Sequence, residues 1–383
     1  MTPPLPVTRL PVADETWRAS VRAFARDAVA PRVRAMDEAA TLDGALLREL
    51  FDAGLMGVEV PESYGGTGGD LFRVMLVIEE LATVDPAVAV LVDVQNALVV
   101  SAVLRHGDGD TRRRLLPRLA TGTVGAYAIS EADAGSDAFA MTTTAHQDGA
   151  GFVLSGAKRW TTNAAEAGLF LVFARTAGAG MTACLVDRDA AGVRVGEPVS
   201  KLGIRATSTC DVTFDDVRVR KQDVLGRPGG GEVIAVETLN IGRLGIAAQL
   251  VGLAEGALGA AVAHARDRRQ FDRPILEFQG VAFPLADRSA ELAAARTYLY
   301  DATRLFQHGG DAAERVRASA VAKHLAANVA ERAAAQAVEI FGGAGVLPEN
   351  GAEKRYRDAK IGKIYEGTTN MQLRAIAGLL ARE

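Results

Sequence analysis

The stretch Leu169-Phe-Leu-Val-Phe-Ala174, with its neighbour Met181-Thr-Ala-Cys-Leu-Val186, decides the fold class of this chain. Both segments are short, rich in β-branched and aromatic residues, and separated by glycine and polar residues, which is typical of β-strands. Similar short segments recur from residue 125 to residue 214. No segment of crossover-helix length lies between them, so we predict an antiparallel β domain and not a parallel dinucleotide-binding sheet.

Helical patterns flank this β region on both sides. Upstream, apolar residues recur at helical spacing from Asp14 to about Thr121. Downstream, the run Gly229-Gly-Gly231 marks a boundary, after which helical spacing returns. Four long helices are predicted there, at roughly 233–268, 279–307, 312–341 and 361–381.

These patterns predict an α+β multidomain protein. We assign an N-terminal α-helical domain to residues 1–122, a middle antiparallel β domain to 123–231, and a C-terminal four-helix bundle to 232–383. Within the first domain, the apolar stretch 87–104 is expected to be a buried helix that lines a ligand cavity, with Gln95 and Asn96 as its few polar groups.

Composition excludes several classes of function. The 383 residues are 49% hydrophobic and 23% charged, with a net charge of −4 at pH 7 and scattered basic residues. Two cysteines and five histidines lack the spacing of a disulfide framework or a metal site. The segment Met1-Thr-Pro-Pro-Leu-Pro6 lacks the organisation of a signal peptide, and we expect no apolar run of membrane-spanning length. We therefore expect a cytoplasmic protein with no metal, no nucleic-acid partner and no membrane association.

The segment Ile361-Gly-Lys-Ile-Tyr-Glu-Gly-Thr-Thr-Asn-Met-Gln372 carries the candidate catalytic base, Glu366. Gly367 follows it, and a tight bend at a glycine lets the backbone approach a ligand closely while the carboxylate is aimed at it. Taken alone, Glu-Gly-Thr is more typical of a helix boundary with a solvated carboxylate. Motifs elsewhere in the chain change this interpretation.

Two motifs of the β region offer polar groups and an aromatic face. In Tyr127-Ala-Ile-Ser-Glu-Ala-Asp-Ala-Gly-Ser-Asp137, a strand enters a turn that presents Ser130, Ser136 and backbone N–H groups, although a capped β-turn explains the same residues. In Lys158-Arg-Trp-Thr-Thr-Asn163, Trp160 offers an indole face to a planar heterocycle, although a tryptophan at a strand end is usually part of the core.

Two motifs of the C-terminal region suit a phosphate or a nucleotide. In Arg268-Arg-Gln-Phe-Asp-Arg-Pro-Ile275, Arg268 could pair with a pyrophosphate and Phe271 could pack on adenosine, with Gln279 nearby, although a surface arginine cluster is the simpler interpretation. In Glu339-Ile-Phe-Gly-Gly-Ala-Gly345, adjacent glycines allow a phosphate to approach the backbone, although a helix C-cap explains at least one of them.

The order and spacing of these motifs resemble the acyl-CoA dehydrogenase family from about residue 15 to the C-terminus. The similar strings are Tyr-Ala-Ile-Ser-Glu-x-x-x-Gly-Ser-Asp, Trp-Thr-Thr-Asn, Lys201-Leu-Gly-Ile-Arg-Ala206, Arg-x-x-Phe, Gly-Gly-x-Gly, Arg357-Asp-Ala-Lys360 and Ile-Tyr-Glu-Gly-Thr. Short/branched-chain members are the most similar, on the strings Ala164-Ala-Glu-Ala-Gly-Leu-Phe-Leu-Val172, Ala206-Thr-Ser-Thr-Cys210, Leu239-Asn-Ile-Gly-Arg-Leu-Gly-Ile-Ala-Ala-Gln249 and Lys360-Ile-Gly-Lys-Ile364.

The resemblance implies FAD as the cofactor and a homotetramer as the assembly. It places the isoalloxazine ring and its surroundings at Tyr127, Ile129, Ser130, Ser136, Trp160, Thr161, Thr162, Thr368 and Asn370. It places the adenosine and pyrophosphate, held by a neighbouring subunit, at Arg268, Phe271, Gln279, Glu339, Gly342 and Gly343. It places the acyl-CoA substrate at Ser136, Asn240, Arg243 and Gly367.

The same resemblance assigns the base to Glu366. Isovaleryl-type members carry the carboxylate just before the arginine matched by Arg243, where this chain has Gly242. Three residues depart from the family pattern: Asp272 stands where glycine usually follows Arg-x-x-Phe, Ala132 replaces a common proline, and Val346 replaces a common aromatic residue.

The implied reaction is α,β-dehydrogenation of a short or branched acyl-CoA to the trans-2-enoyl-CoA. Glu366 would remove an α-proton while the β-hydrogen leaves as hydride to the flavin, and an electron-transferring flavoprotein would accept the electrons. We expect exclusion of water by the acyl chain to raise the Glu366 pKa towards neutrality. Three alternatives stay open: the same reaction on a thioester bound to an acyl carrier protein, a flavin-dependent oxygenase, and an inactive scaffold.

Overall fold

Three regions, helical, then β, then helical, follow one another along the chain, which confirms the predicted α+β fold class. The structure is a computed structural model that describes residues 7–381. The segment Met1–Pro6, used above to argue against a signal peptide, lies outside the described residues.

Aspartate N-caps set the beginnings of the main helices of the first region. Asp43, Asp70, Asp85 and Asp108 each accept hydrogen bonds from free N–H groups of the first helical turn. The helices are α1 (Val12–Phe24), α2 (Val33–Ala39), α3 (Gly44–Asp52), α4 (Leu71–Val84), α5 (Pro86–Asp93), α6 (Ser101–His106) and α7 (Gly109–Thr121).

The predicted apolar helix over 87–104 is continuous but contains a π-helical segment, Val94–Val100, between α5 and α6. Gln95 in that segment donates to the carbonyls of Leu119 and Thr123 and accepts from the Gly125 N–H. Asn96 likewise bonds the backbone of Leu55 and Val58. Both amides therefore tie this helix to neighbouring segments, and the expectation that the helix lines a ligand cavity stays a prediction.

One sheet forms the middle region. Its strands are β1 (Val124–Ala128), β2 (Thr144–Asp148), β3 (Gly151–Thr162), β4 (Ala167–Thr176), β5 (Gly180–Asp187), β6 (Val193–Val195), β7 (Thr209–Val219) and β8 (Val224–Leu225). Their order is β6-β7-β3-β2-β4-β5-β8, with β1 paired to β4. Most pairs are antiparallel, but β1 pairs with β4 in parallel and β2 meets β4 in parallel at one position, which the strand patterns did not indicate.

Long helices of the third region complete the core. They are α8 (Gly231–Asp267), α9 (Gln279–His308), α10 (Ala312–Phe341), α11 (Ala352–Ile361) and α12 (Thr369–Leu380), with the small hairpin β9 (Arg269–Gln270) and β10 (Arg273–Pro274) after α8. The predicted helix over 361–381 begins only at Thr369, because the preceding segment is a loop that ends at the Thr368 N-cap. A buried apolar cluster shared by α4, α5, α8, α9 and α10 joins the first region to the third.

Two helical stretches have the length and apolar composition of membrane spans, contrary to the expectation from sequence. They are Pro86–His106 and Gly231–Asp267, and 94% and 67% of their most apolar windows are buried inside the protein. Burial of this kind is typical of core helices of globular domains.

Candidate active site

The candidate base lies in the loop between α11 and α12. Glu366 has a φ of 51° and Gly367 a φ of 88°, so the loop turns sharply through the left-handed region. Buried Gln372 donates to the carbonyls of Glu366 (3.1 Å) and Gly367 (2.9 Å), and buried Lys323 donates to the Gly367 carbonyl at 2.6 Å. These bonds hold the backbone of the loop and leave the carboxylate available.

The Glu366 carboxyl is held in an unusual electrostatic environment. Its Oε2 atom is buried and has no hydrogen-bond partner within residues 7–381. Burial raises the pKa of Glu366 to about 7, against the opposing pull of the positive charges of Arg243 and Lys323. Burial also lowers the pKa of Lys323 to about 8. A carboxyl poised near neutral pH is suited to take a proton from a bound molecule.

Glycines on α8 make room for this carboxyl. A methyl group at Gly242 would lie 2.9 Å from Glu366 Oε2 and 2.7 Å from Leu98 Cδ2. At Gly245, one turn further, it would lie 1.7 Å from Oδ1 of the buried residue Asp93. A helix with larger residues at these positions would displace both carboxyl groups.

An aromatic residue and hydroxyl groups lie at the end of β3. Trp160 has a φ of 60° within an irregular part of the β3–β7 pairing and is 53% exposed, so it is not the core residue that strand-end tryptophans usually are. The Arg159 N–H donates to the Ser130 carbonyl at 2.8 Å, which brings the two predicted β-region motifs together. Thr161 Oγ1 is buried without a partner in the described chain. Thr162 and Ile129 belong to the same two segments.

Tyr127 joins the sheet to α8. Its hydroxyl lies 3.0 Å from Thr238 Oγ1, on the same face of α8 as Gly242 and Gly245. Strand β1 and the Glu366 loop therefore both contact this face of α8.

Two of the predicted substrate residues, Asn240 and Arg243, lie on α8 near the base. Arg243 donates to Asn240 Oδ1 at 2.9 Å, and Ser319 donates to the same oxygen at 3.1 Å. Arg243 also lines a cavity of about 520 Å³ between α10 and α12, together with Met371 and Arg374. Ser136 lies exposed in the turn after β1, Thr368 caps α12, and Asn370 is exposed in its first turn.

The predicted nucleotide residues form a separate group. Arg268, Phe271, Gln279, Glu339, Gly342 and Gly343 are all exposed near the ends of α8 and α10, where the rings of His264 and Phe341 stack at 4.2 Å. Phe341 follows Lys323 by eighteen residues of α10, about 27 Å along the axis. One chain therefore does not bring this group to Glu366.

The departure at Asp272 is accommodated by the hairpin between β9 and β10. Phe271 and Asp272 are its two central residues, with φ values of 52° and 62°. A two-residue turn with positive φ at both positions favours glycine but tolerates aspartate, so Asp272 fits this turn.

Three residues near the site, Lys323, Gln372 and Asp93, were not predicted from the sequence. Lys323 and Gln372 belong to alanine-rich or mixed helices whose patterns do not single them out. Asp93 carried a usable signal, because it is a carboxylate inside the otherwise apolar run Ala87–Val94.

Comparison with family models covers almost the whole chain. Residues 13–123 match the N-terminal domain of acyl-CoA dehydrogenases, 126–217 the middle domain and 229–380 the C-terminal domain. A probable short/branched chain specific acyl-CoA dehydrogenase of Dictyostelium discoideum is 44% identical over 97% of this chain and 91% of its own. The mitochondrial short/branched chain specific enzyme of Bos taurus is 42% identical over 96% and 85%.

Solved structures are similar over their full length. Butyryl-CoA dehydrogenase from Megasphaera elsdenii has a TM-score of 0.94 at 35% identity, covering 98% of this chain and 99% of its own. A chain described with the electron transferring flavoprotein of Acidaminococcus fermentans has a TM-score of 0.95 at 35% identity, covering 98% and 100%. A prolyl acyl carrier protein oxidase has a TM-score of 0.92 at 25% identity, covering 97% and 100%.

Cofactor-bound structures are among the similar proteins. A glutaryl-CoA dehydrogenase from Mycobacterium smegmatis in complex with FADH2 has a TM-score of 0.92 at 28% identity, covering 98% of this chain and 96% of its own. With the three domain matches and relatives above 40% identity, the prediction made from the motifs is confirmed: this chain belongs to the acyl-CoA dehydrogenase family, an enzyme family whose cofactor is FAD.

Proposed function

We propose that this protein catalyses α,β-dehydrogenation of a short or branched acyl-CoA, yielding the trans-2-enoyl-CoA. The observation that carries the proposal is the Glu366 carboxyl, buried at Oε2, with a pKa raised to about 7 and with Arg243 and Lys323 close by. Relatives with 42% and 44% identity that are described as short/branched chain specific support the substrate class.

The residues around this carboxyl fit the isoalloxazine end of FAD. The exposed indole of Trp160 offers a flat face, and the buried Thr161 Oγ1 lacks a partner among residues 7–381, as expected of a group that bonds a cofactor. We assign ring contacts to Tyr127, Ile129, Ser130, Trp160, Thr161 and Thr162, with Thr368 and Asn370 beside the loop. When bound, FAD accepts the hydride that leaves the β-carbon.

The protein itself manages the proton and the charge of the thioester. Glu366 removes the α-proton, which requires its deprotonated form. The Glu366 N–H makes no hydrogen bond within the described chain, and we propose that it donates to the thioester oxygen as negative charge develops there. One such donor is typically worth about 3–4 kcal/mol in the transition state.

Assembly and electron transfer complete the proposal. Phe271, in the group at the far ends of α8 and α10, is 86% exposed. In a homotetramer, this group of one subunit would contact the cofactor of a neighbouring subunit and would be covered there. We propose an electron-transferring flavoprotein as the acceptor, supported by the similarity to the chain described with such a protein. We also propose that the enzyme works in the cytoplasm.

Substitution Glu366→Gln tests the reaction. We expect the variant to bind FAD normally but to lose at least about 1,000-fold of its anaerobic bleaching rate, because the amide cannot accept the α-proton. Absorbance at the flavin band is followed across a panel of straight and branched acyl-CoAs, with the exposed Glu349→Gln as control. Near-normal bleaching of Glu366→Gln would show that another group takes the proton.

A carrier-bound acyl thioester is the second candidate substrate, favoured by the similarity to the prolyl acyl carrier protein oxidase. The comparison is direct: the same acyl group is offered as the CoA ester and as the carrier-protein ester, and the two bleaching rates are measured. Faster bleaching with the carrier-protein ester than with the CoA ester would identify the carrier-protein ester as the physiological substrate.

A further inference from the structure

We propose that Asp93 sets the acyl specificity of this enzyme by hydrogen-bonding a hydroxyl group at the distal end of a short acyl chain. The inference rests on the proposed function and deepens it, because it names a polar chain end where a plain hydrocarbon would otherwise be expected. It is carried by the burial of Asp93, by its place on the α8 face and by the chemistry of its carboxyl group.

Asp93 differs from other buried carboxylates of this chain. It is 0% exposed, and neither carboxyl oxygen has a hydrogen-bond partner in the part of the chain that the structure describes. By contrast, Asp85 Oδ1 binds Lys354 at 2.8 Å, and Glu79 binds Arg296 and Tyr300 at 2.8 and 2.9 Å. Buried polar groups are nearly always bonded, so two free oxygens indicate a partner that arrives with a ligand.

Asp93 lies one helical turn from the catalytic base. Gly242 accommodates the Glu366 carboxyl and Gly245 accommodates that of Asp93, on the same face of α8. Three residues of helix correspond to a rise of about 4.5 Å, the length of a few carbon–carbon bonds. An acyl chain with its α-carbon at Glu366 therefore reaches Asp93 with its distal end if it runs along this face.

Two other polar groups at this end of the face, Tyr365 and Gln249, are already engaged. Tyr365 donates to Gln249 Oε1 at 2.5 Å, and Gln249 donates to the Pro86 carbonyl at 2.9 Å. At the opposite end of the face, Thr238 meets Tyr127 of the sheet. The order along α8 thus places the sheet first, the base second, Asp93 third and a satisfied hydrogen-bonded pair last.

A raised pKa favours the neutral form of Asp93, and that form suits a hydroxyl partner. Burial raises the pKa of Asp93 well above its usual value, and the nearby Glu366 carboxylate raises it further. A neutral carboxylic acid both donates and accepts, as a hydroxyl does. A methyl end would leave both oxygens of Asp93 unpaired, and a carboxylate end would be repelled by ionised Glu366.

Binding to the Glu366→Gln holoenzyme tests the inference without turnover. Calorimetry gives the Kd of 5-hydroxypentanoyl-CoA and of its isostere hexanoyl-CoA, in which a methyl replaces the hydroxyl. We expect the hydroxy ester to bind at least about tenfold more tightly. Adding Asp93→Leu should abolish this preference and tighten hexanoyl-CoA binding, whereas Asp93→Asn, which keeps a donor and an acceptor, should retain much of it.

The outcomes separate the two proposals. Two outcomes would overturn the Asp93 assignment: equal affinities of the two esters when Asp93 is present, or a preference for the hydroxy ester that Asp93→Leu leaves unchanged. The proposed function would still stand if hexanoyl-CoA bleaches the unmodified enzyme. Failure of both esters to bind, with no bleaching of the unmodified enzyme by any acyl-CoA, would overturn the proposed function and this inference together. If Asp93→Leu does not fold, the ratio of the two esters' Kd values is measured in the parent protein and in Asp93→Asn, and a ratio near one in the parent protein overturns the assignment.

Discussion

At the scale of single residues, the charges around Glu366 predict the pH dependence of the reaction. Only the ionised carboxylate accepts the α-proton, and its pKa is about 7. The rate of anaerobic reduction at low substrate should therefore fall about tenfold per pH unit below 7 and level off above it. Stopped-flow measurements from about pH 5 to pH 9 check this acidic limb of the pH–rate profile, in which the rate falls as the pH falls. A limb centred near pH 4.5 would contradict the burial of the carboxyl.

Lys323 contributes to the position of that limb. Its positive charge lowers the pKa of Glu366, so removing the charge with Lys323→Met should shift the limb to higher pH. The exposed Lys360→Met serves as control and should leave the limb in place. Because Lys323 also holds the Gly367 carbonyl, a drop in the plateau rate accompanies the shift, and the shift itself is the diagnostic quantity.

At the scale of elements, α8 depends on glycine where it faces the base. Gly242→Ala places a methyl 2.9 Å from Glu366 Oε2, so we expect at least about a tenfold loss of reduction rate with FAD retained. Gly259→Ala on the same helix is the matched control, because the added methyl meets no described atom within 4 Å apart from its chain neighbours and the backbone of its own helix. It should leave the rate unchanged and stabilise the protein by about 0.5–1 kcal/mol through helix propensity. A normal rate in Gly242→Ala would mean that the Glu366 carboxyl does not depend on this gap.

At the scale of the whole molecule, one buried ionic cluster joins the three regions. Lys354 of α11 donates to Asp358 at 2.6 Å and to Asp85, the N-cap of α5, at 2.8 Å, while Asp358 accepts from the Ile204 N–H of the middle region at 2.5 Å. Breaking a buried pair from one side leaves uncompensated charge and costs about 3–5 kcal/mol.

Lys354→Met should therefore lower the free energy of unfolding by about 3–5 kcal/mol. Lys360→Met, on the same helix but in an exposed pair with Glu331, should change it by at most about 1 kcal/mol. Urea unfolding followed by far-UV circular dichroism gives both values. Equal effects of the two substitutions would show that the cluster does not stabilise the junction.

The sequence by itself determined the order of the three regions and the family. Strand segments such as Leu169–Ala174 and helical spacing elsewhere report local backbone preference, and spaced motifs around Trp160 and Glu366 report side-chain chemistry. Local patterns also misplaced a boundary, because the helix predicted from residue 361 begins at Thr369.

Only the tertiary structure decided what surrounds the base. Asp93, Gly242, Lys323 and Glu366 are scattered over more than 270 residues of sequence, and no local pattern relates them. The meeting of the two carboxyl groups on one face of α8, the raised pKa of Glu366 and the unpaired oxygens of Asp93 follow from long-range packing and burial. Burial changes the energy of a charge by removing water around it, which depends on the neighbours that the fold brings together and not on adjacent residues.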